Sequence, residues 1–120
     1  FIRPRMDSIL PRLLGHKRLI LGNHDKFQAS AYAKHFQKIR GCCSHDKLLF
    51  THFPIAPWSI GKWRANVHGH VHANQAFVMK HTWRGADGVE HIVPYVNISV
   101  ELTDYRPISL NEINTALRGL

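Results

Sequence analysis

The sequence has few acidic residues, few cysteines and no long hydrophobic run. Asp and Glu number 8 against 16 Lys and Arg, so the net charge is +8 with histidine neutral. The two cysteines are adjacent, at positions 42 and 43, and cannot build a disulfide framework; a reducing, cytoplasmic setting is therefore expected. No apolar run approaches the ~20 residues of a membrane span, so we expect no membrane association.

What is present is enough for a folded core. A chain of 120 residues with 44% hydrophobic residues predicts one domain rather than a disordered segment. The basic excess favours an anionic partner, such as nucleic acid, a nucleotide or an acidic lipid, although a solvated basic surface gives the same composition. The 10 histidines are more informative, because neutral imidazole is the commonest metal ligand.

The hydrophobic pattern predicts an α/β protein, a layered β-sheet with flanking helices that ends in antiparallel strands. The predicted helices cover 6–15, 27–40 and 107–117. The predicted strands cover 17–21, 48–50, 75–82, 89–93 and 95–102, with a hairpin turn at 85–88.

The first polar cluster, Gly22-Asn23-His24-Asp25, follows a short apolar run. Glycine permits a sharp turn and close approach of a ligand, and the next three side chains offer an amide oxygen, an imidazole and a carboxylate. A plain Asn-His-Asp loop with local turn hydrogen bonds is the structural alternative.

Two more clusters follow later strands. His52 stands directly after the strand Leu-Leu-Phe-Thr, where an ordinary strand-end histidine is the simpler interpretation. His68, His70 and His72 alternate through Gly69, and alternate residues of a strand share one face. Three unpaired imidazoles on one face are costly as core residues, which favours a curved metal-binding segment.

Together these clusters predict a site at one edge of an open α/β sheet, where strand ends deliver their ligands. Mixed amide, imidazole and carboxylate donors suit Mn, Fe or Zn better than Mg or Ca, which prefer oxygen ligands throughout.

These motifs resemble those of the calcineurin-like metallophosphoesterases, in particular the small bacterial and phage enzymes. The resemblance rests on Gly-Asn-His-Asp at 22–25, Thr-His-Phe-Pro at 51–54 and Gly-His-Val-His at 69–72. It extends to Asn-Ile-Ser-Val-Glu at 97–101 and Tyr-Arg-Pro-Ile at 105–108, so it covers almost the whole chain. The fold it implies is a metallophosphoesterase-like β-sandwich.

The resemblance also implies roles for individual residues. Asn23, His52 and His70 are similar to ligands of the second metal ion, and His72 to a ligand of the first. Asn23 also resembles a catalytic residue, because the family's asparagine reaches the phosphate as well. His24 resembles the histidine that contacts the phosphate and protonates the leaving group, and Asp25 resembles the carboxylate that orients it. His68 matches no family role and is interpreted as a supporting or surface group.

One departure from the family is large. The family begins with Asp-x-His and Gly-Asp motifs, which supply further first-metal ligands and a bridging carboxylate, and this sequence contains neither. We therefore expect residues 1–120 to form a single metallophosphoesterase-like domain that is incomplete at its N-terminus. A missing segment or a second chain would complete the site.

The family mechanism uses up to two metal ions that share a hydroxide, which attacks phosphorus in line with the leaving oxygen. The sequence thus predicts a metal-dependent hydrolase of phosphomonoesters or phosphodiesters, with this chain carrying the second-metal half. Lys62 and Arg64 lie in a loop with Trp58 and Trp63, and such a loop can bind the phosphates and bases of a nucleic acid. In the alternative interpretation, both tryptophans pack beneath the loop and bind no ligand.

Two interpretations without catalysis remain. The chain is then either an inactive, truncated family member that acts through partners, or a basic nucleic-acid-binding module with one structural metal ion. Salt-dependent binding without hydrolysis would distinguish the module from the enzyme.

Overall fold

The computed structural model describes residues 3–120, which form a mixed α/β structure with two sheets. The α-helices are α1 (Arg3–Ile9), α2 (Ala29–Ala33) and α3 (Leu110–Arg118). The strands are β1 (Arg18–Ile20), β2 (Lys38–Arg40), β3 (Cys42–His45), β4 (Leu48–Thr51), β5 (Ala65–His68), β6 (Val78–Arg84) and β7 (Glu90–Asn97). Short 3-10 helices occupy Leu10–Arg12, Pro57–Ser59, His72–Asn74 and Val100–Leu102. The predicted α/β class is confirmed in the sense that helices and two β-sheets are both present. None of the helices within 3–120 has both the length and the apolar character that a membrane span requires.

The smaller sheet pairs β1 with β2 in parallel. Its inner face packs against the first two helices around a small core: Met6, Leu10, Ala31 and Tyr32 are buried there, with Leu19, Phe27, Phe36 and Ile39 beside them. The predicted helix over 27–40 is wrong, because only 29–33 is helical and 38–40 is a strand. The apolar residues do reach one core, but pairing with β1 overrides the helical period in the second half of the segment.

The larger sheet has the order β3-β4-β5-β7-β6. Its three central strands run parallel, and the two edge strands run antiparallel to their neighbours. The carboxyl ends of β4, β5 and β7 therefore lie at the same edge of the sheet. We call this the carboxyl edge, and its opposite the amino edge.

Both faces of the larger sheet are covered. The C-terminal helix packs on one face, where Leu48, Ala65, Val67, Val96 and Ile113 form a buried core. The connection from β4 to β5 crosses the other face, where Leu49, Ile60, Val93 and Tyr95 are buried with Trp63 and Trp83 alongside. These alternating positions explain why neighbouring residues such as Leu48 and Leu49 serve different cores.

Several predicted elements are confirmed with altered bounds. The hairpin is present as β6 and β7, and the terminal helix as α3. The first helix ends earlier than 6–15 and continues as a 3-10 turn over 10–12, as expected with Pro11 in the sequence. The separate strand over 95–102 is wrong, because β7 already includes Tyr95 and ends at Asn97. The hairpin of β3 and β4 was not predicted; Asp46 and Lys47 both take positive φ at its turn, without a glycine.

Candidate metal centre

Loops that follow four strands meet at one open cavity of about 450 Å³. The loops come after β1, β4, β5 and β7, so each contributes its residues directly beyond a carboxyl end. The cavity is lined by Asn23, His24, His52, Gly69, His70, His72, Ser99, Val100 and Glu101. The structure thus brings together residues from all three clusters, which the sequence separates by up to 50 positions.

The Gly22–Asp25 segment is a tight turn closed at both ends. The Asp25 amide donates to the Gly22 carbonyl over 3.2 Å, and the Gly22 amide donates to the Asp25 carboxylate over 2.7 Å. Among residues 3–120 no hydrogen bond joins that carboxylate to the His24 ring. In this structure Asp25 therefore supports the turn itself. The orientation of His24 by Asp25, which the resemblance implies, stays a prediction. The turn leaves Asn23 and His24 exposed at the cavity.

Gly22 also makes room for His52. A Cβ atom at Gly22 would lie 2.9 Å from both Cε1 and Nδ1 of the His52 ring, closer than side chains approach one another. The missing side chain thus lets the His52 ring lie directly against the turn. Here the glycine is required by close approach and not by its backbone angles.

Three donor atoms converge beside this turn. His52 Nε2 lies 2.7 Å from Asn23 Oδ1 and 3.2 Å from His70 Nδ1. Burial, reinforced by the nearby His70, lowers the pKa of the His52 ring. A lowered pKa favours the neutral ring, which is the form that can coordinate a cation.

The three alternating histidines do not share a strand face, so that expectation is wrong. β5 ends at His68, which is fully buried; its Nδ1 lies 2.9 Å from the Gly69 carbonyl oxygen, and its ring packs against Tyr95. His70 and His72 lie beyond the strand in left-handed backbone conformations, with φ of 65° and 52°. Such angles are uncommon outside glycine and cluster at functional sites. They turn both rings toward the cavity, whereas His68 serves the core.

Glu101 is a site residue that sequence reasoning missed. Its carboxylate accepts a hydrogen bond from His72 Nδ1 over 2.6 Å, and this bond lowers the pKa of Glu101. The second carboxylate oxygen, Oε2, is buried and has no partner among residues 3–120. The motif at 97–101 contained the signal, since a carboxylate close behind a parallel strand can reach the same edge.

Asn97 joins the loop after β5 to the end of β7 through its side-chain hydrogen bonds. It is fully buried; its side-chain amide donates to the carbonyls of His72 and Gln75, and its oxygen accepts from Ser99. These bonds tie the histidine loop to the end of β7. Asn97 therefore stabilises the backbone that presents His70 and His72.

Lys62 and Arg64 are not at this cavity. Arg64 immediately precedes β5 at the amino edge, and the four residues of β5 place it about 13 Å or more from the carboxyl edge. Its guanidinium binds the backbone and side chain of Asp46 and the side chain of Asn114. Because this loop lies between His52 and Gly-His-Val-His in the sequence, it is predicted to lie at the rim of the metal site. That prediction is wrong, since the connection crosses the sheet before entering β5.

The separations can be compared with those around a single bound ion. Donors at ~2.0–2.1 Å from a tetrahedral ion lie about 3.3 Å from one another. The 3.2 Å between His52 and His70 is close to this value, whereas the 2.7 Å between His52 and Asn23 is shorter. No group of three or more His, Cys, Asp and Glu side chains within 3–120 is arranged to hold a metal ion. The convergent set therefore depends on the Asn23 amide as its third donor.

Comparisons with protein-family models, with curated proteins and with solved structures find no match for this chain. The case for a function therefore rests on the geometry and chemistry of the cavity.

Proposed function

We propose that this protein is a metal-dependent phosphoesterase of the calcineurin-like type, with the second-metal half of its site at the carboxyl edge. The observation that carries the proposal is the convergence of Asn23, His52 and His70, with donor atoms 2.7 and 3.2 Å apart. A β-sandwich of the metallophosphoesterase kind is the finer fold proposed with it. The two covered faces of the five-stranded sheet and its shared carboxyl edge are compatible with that fold.

A bound Mn, Fe or Zn ion would stabilise charge on the phosphoryl oxygens and activate a water molecule. Asn23, His52 and His70 would hold it. The ligand loops are fixed before binding by the turn at Gly22 and by Asn97, so little of the binding energy is spent on ordering them.

His24 and His72 have separate tasks in this proposal. His24 is exposed at the cavity, where its ring can donate a proton to the leaving oxygen of a phosphoester. His72 is held by Glu101 through the 2.6 Å bond, which fixes the orientation of its ring. The imidazole and carboxylate of this pair would provide donors on one side of a second cation, if one were bound.

The test measures Mn²⁺ binding by calorimetry on residues 1–120 and hydrolysis of bis(p-nitrophenyl) phosphate by the full-length protein. We expect weak binding of one ion, hydrolysis that chelator abolishes, and loss of about 10²–10³ in rate with Asn23→Ala or His24→Ala. His16→Ala is the matched control, because this exposed histidine bonds Gln37 outside the cavity.

Two outcomes would contradict the proposal. Metal binding without hydrolysis would favour the basic nucleic-acid-binding module with a single ion. Hydrolysis that is unaffected by chelator would exclude a metal-dependent reaction. An ester with a good leaving group should restore the His24→Ala rate; if it does not, His24 holds the phosphate rather than protonating the leaving oxygen.

A further inference from the structure

All 3 tryptophans of the chain line a single cavity of about 390 Å³. Trp58 and Trp63 come from the connection between β4 and β5, and Trp83 from β6. The β7 residues of this cavity, 91–94, lie toward the start of that strand. The cavity thus lies toward the amino edge. It shares no lining residue with the cavity that His52, His70 and His72 line at the carboxyl edge. We call it the tryptophan cavity.

Its aromatic surfaces are partly open to solvent. The Trp58 side chain is 66% exposed and the neighbouring Ile92 is 59% exposed. Trp83 stacks on His91 with ring centroids 4.5 Å apart and planes within 15°. The indole N–H of Trp83 is buried without a hydrogen-bond partner among residues 3–120. Exposed aromatic and aliphatic groups that face one cavity are typical of a ligand site for a flat, partly polar ring.

A second cavity of about 670 Å³ adjoins the first, since Trp63 lines both. It is polar and basic: Lys47 and Lys62 line it with Ser44 and His45. Its one carboxylate, Asp46, is already bound by Arg64 over 2.8 Å and by Asn114 over 3.2 Å. Among residues 3–120 neither lysine is paired with a carboxylate, and the Lys62 ammonium lies 6.0 Å from the Trp63 ring centroid, so both charges can attract an anion.

We propose that these adjoining cavities bind a nucleotide, with its base in the tryptophan cavity and a phosphate at Lys47 and Lys62. A base–aromatic stack beside lysines is the usual chemistry of nucleotide and single-strand recognition. The net charge of +8 adds long-range attraction for such a ligand. The ligand is either a free nucleotide or a segment of single-stranded nucleic acid. The inference does not depend on the phosphoesterase proposal, because the two sites share no residue.

Tryptophan fluorescence tests this directly, because every tryptophan of the protein lines the cavity. The ligands are AMP, a short oligothymidylate and inorganic polyphosphate, which carries the charge without a base. We expect both nucleotide ligands to quench the fluorescence strongly. Polyphosphate should change it much less, because Trp63 alone among the tryptophans lines the basic cavity. Tighter binding of the oligothymidylate identifies a single strand as the ligand, and equal or tighter binding of AMP identifies a free nucleotide. Absence of quenching by both nucleotides overturns the proposal.

Two variants locate the binding. Trp58→Ala should weaken the nucleotide ligand by about tenfold or more, the loss usual for one stacked base. Lys62→Ala should lower the slope of log affinity against log salt for the oligothymidylate by about one unit. Tyr105→Asn removes an aromatic ring that is 75% exposed beyond the end of β7, and should leave affinity unchanged. Equal losses in Trp58→Ala and Tyr105→Asn, or no loss in Trp58→Ala, would show that the tryptophan cavity is not the site.

Discussion

The face covered by α3 and the carboxyl edge of the same sheet are built in opposite ways. On the helix face, Leu48 and Ile113 are buried, and a capping box joins Ser109 to Glu112 through both backbone amides. At the edge, His70 and His72 are exposed and hold left-handed backbone angles. The face thus gathers apolar contacts and closed hydrogen bonds, whereas the edge presents ring nitrogens to a cavity. The comparison suggests that stability and chemistry are assigned to different residues of one sheet.

The largest effect should come from the helix face. Leu48→Ala removes a fully buried side chain and should lower the free energy of unfolding by about 2–5 kcal/mol. Leu14→Ala is the control, because that leucine is 99% exposed and its loss should change little. Urea unfolding followed by circular dichroism measures both. Similar small losses would mean that the helix face is not the stabilising core.

At the carboxyl edge, His70→Ala should affect metal binding and leave stability nearly unchanged. Loss of a direct donor should weaken Mn²⁺ or Zn²⁺ binding by more than the roughly 10–100-fold typical of an outer-shell partner. Calorimetry on the wild type and on the His16→Ala control gives the comparison. If the variant lost stability and kept its metal affinity, the edge would be a structural element after all.

Gly22 lies in the turn beside His52, and its substitution removes no donor atom of the candidate metal site. Gly22→Ala should push the His52 ring away, since the new Cβ would lie 2.9 Å from two ring atoms. Displacement by about 1 Å can reduce activity by about 10²-fold, and we expect a parallel loss of metal affinity. Gly41→Ala is the matched control, because its Cβ would meet nothing within 4 Å. Equal behaviour of the two variants would refute the close-approach argument.

The smallest effect concerns acid stability on the helix face. Hydrogen bonds from Arg106 and from Ser109 lower the pKa of Glu112 to about 2 from 4.5. A depressed folded-state pKa contributes stability above the unfolded value, and this contribution is lost as pH falls from about 4.5 to about 2. Glu112→Gln, which preserves the cap, should therefore be less stable than the wild type at neutral pH. The difference should shrink across that window.

Unfolding free energies of both proteins at several pH values check this prediction. A difference that does not change between neutral pH and pH 2 would show that the Glu112 charge contributes no net stability. Glu112→Gln should leave the metal affinity of the carboxyl edge unchanged, so that affinity, measured at neutral pH, serves as the internal control.

The apolar pattern of the sequence predicted which residues form the cores better than it predicted their elements. Phe27, Tyr32 and Ile39 lie at helical spacing in the sequence, which predicts one shared apolar face, and they do pack into one core. Their helix was predicted too long, because the pairing of Ile39 with Leu19 is a contact between distant segments that no local period reveals. The hairpin at β6 and β7 was predictable, since its turn carries the glycines that such turns favour.

The sequence by itself determined which chemistry this protein can offer. Imidazole, amide and carboxylate groups follow short apolar segments, and the parallel strands bring those ends to one edge for a general physical reason. Only the tertiary structure decided which histidine faces the cavity: β5 ends at His68, and the backbone beyond it turns at His70 and His72. It also decided that Glu101 joins the site and that Lys62 and Arg64 lie at the other edge, because a connection of 13 residues crosses the sheet between β4 and β5. Where a chain goes after a strand depends on what it packs against, and that is set by contacts between distant residues rather than by local pattern.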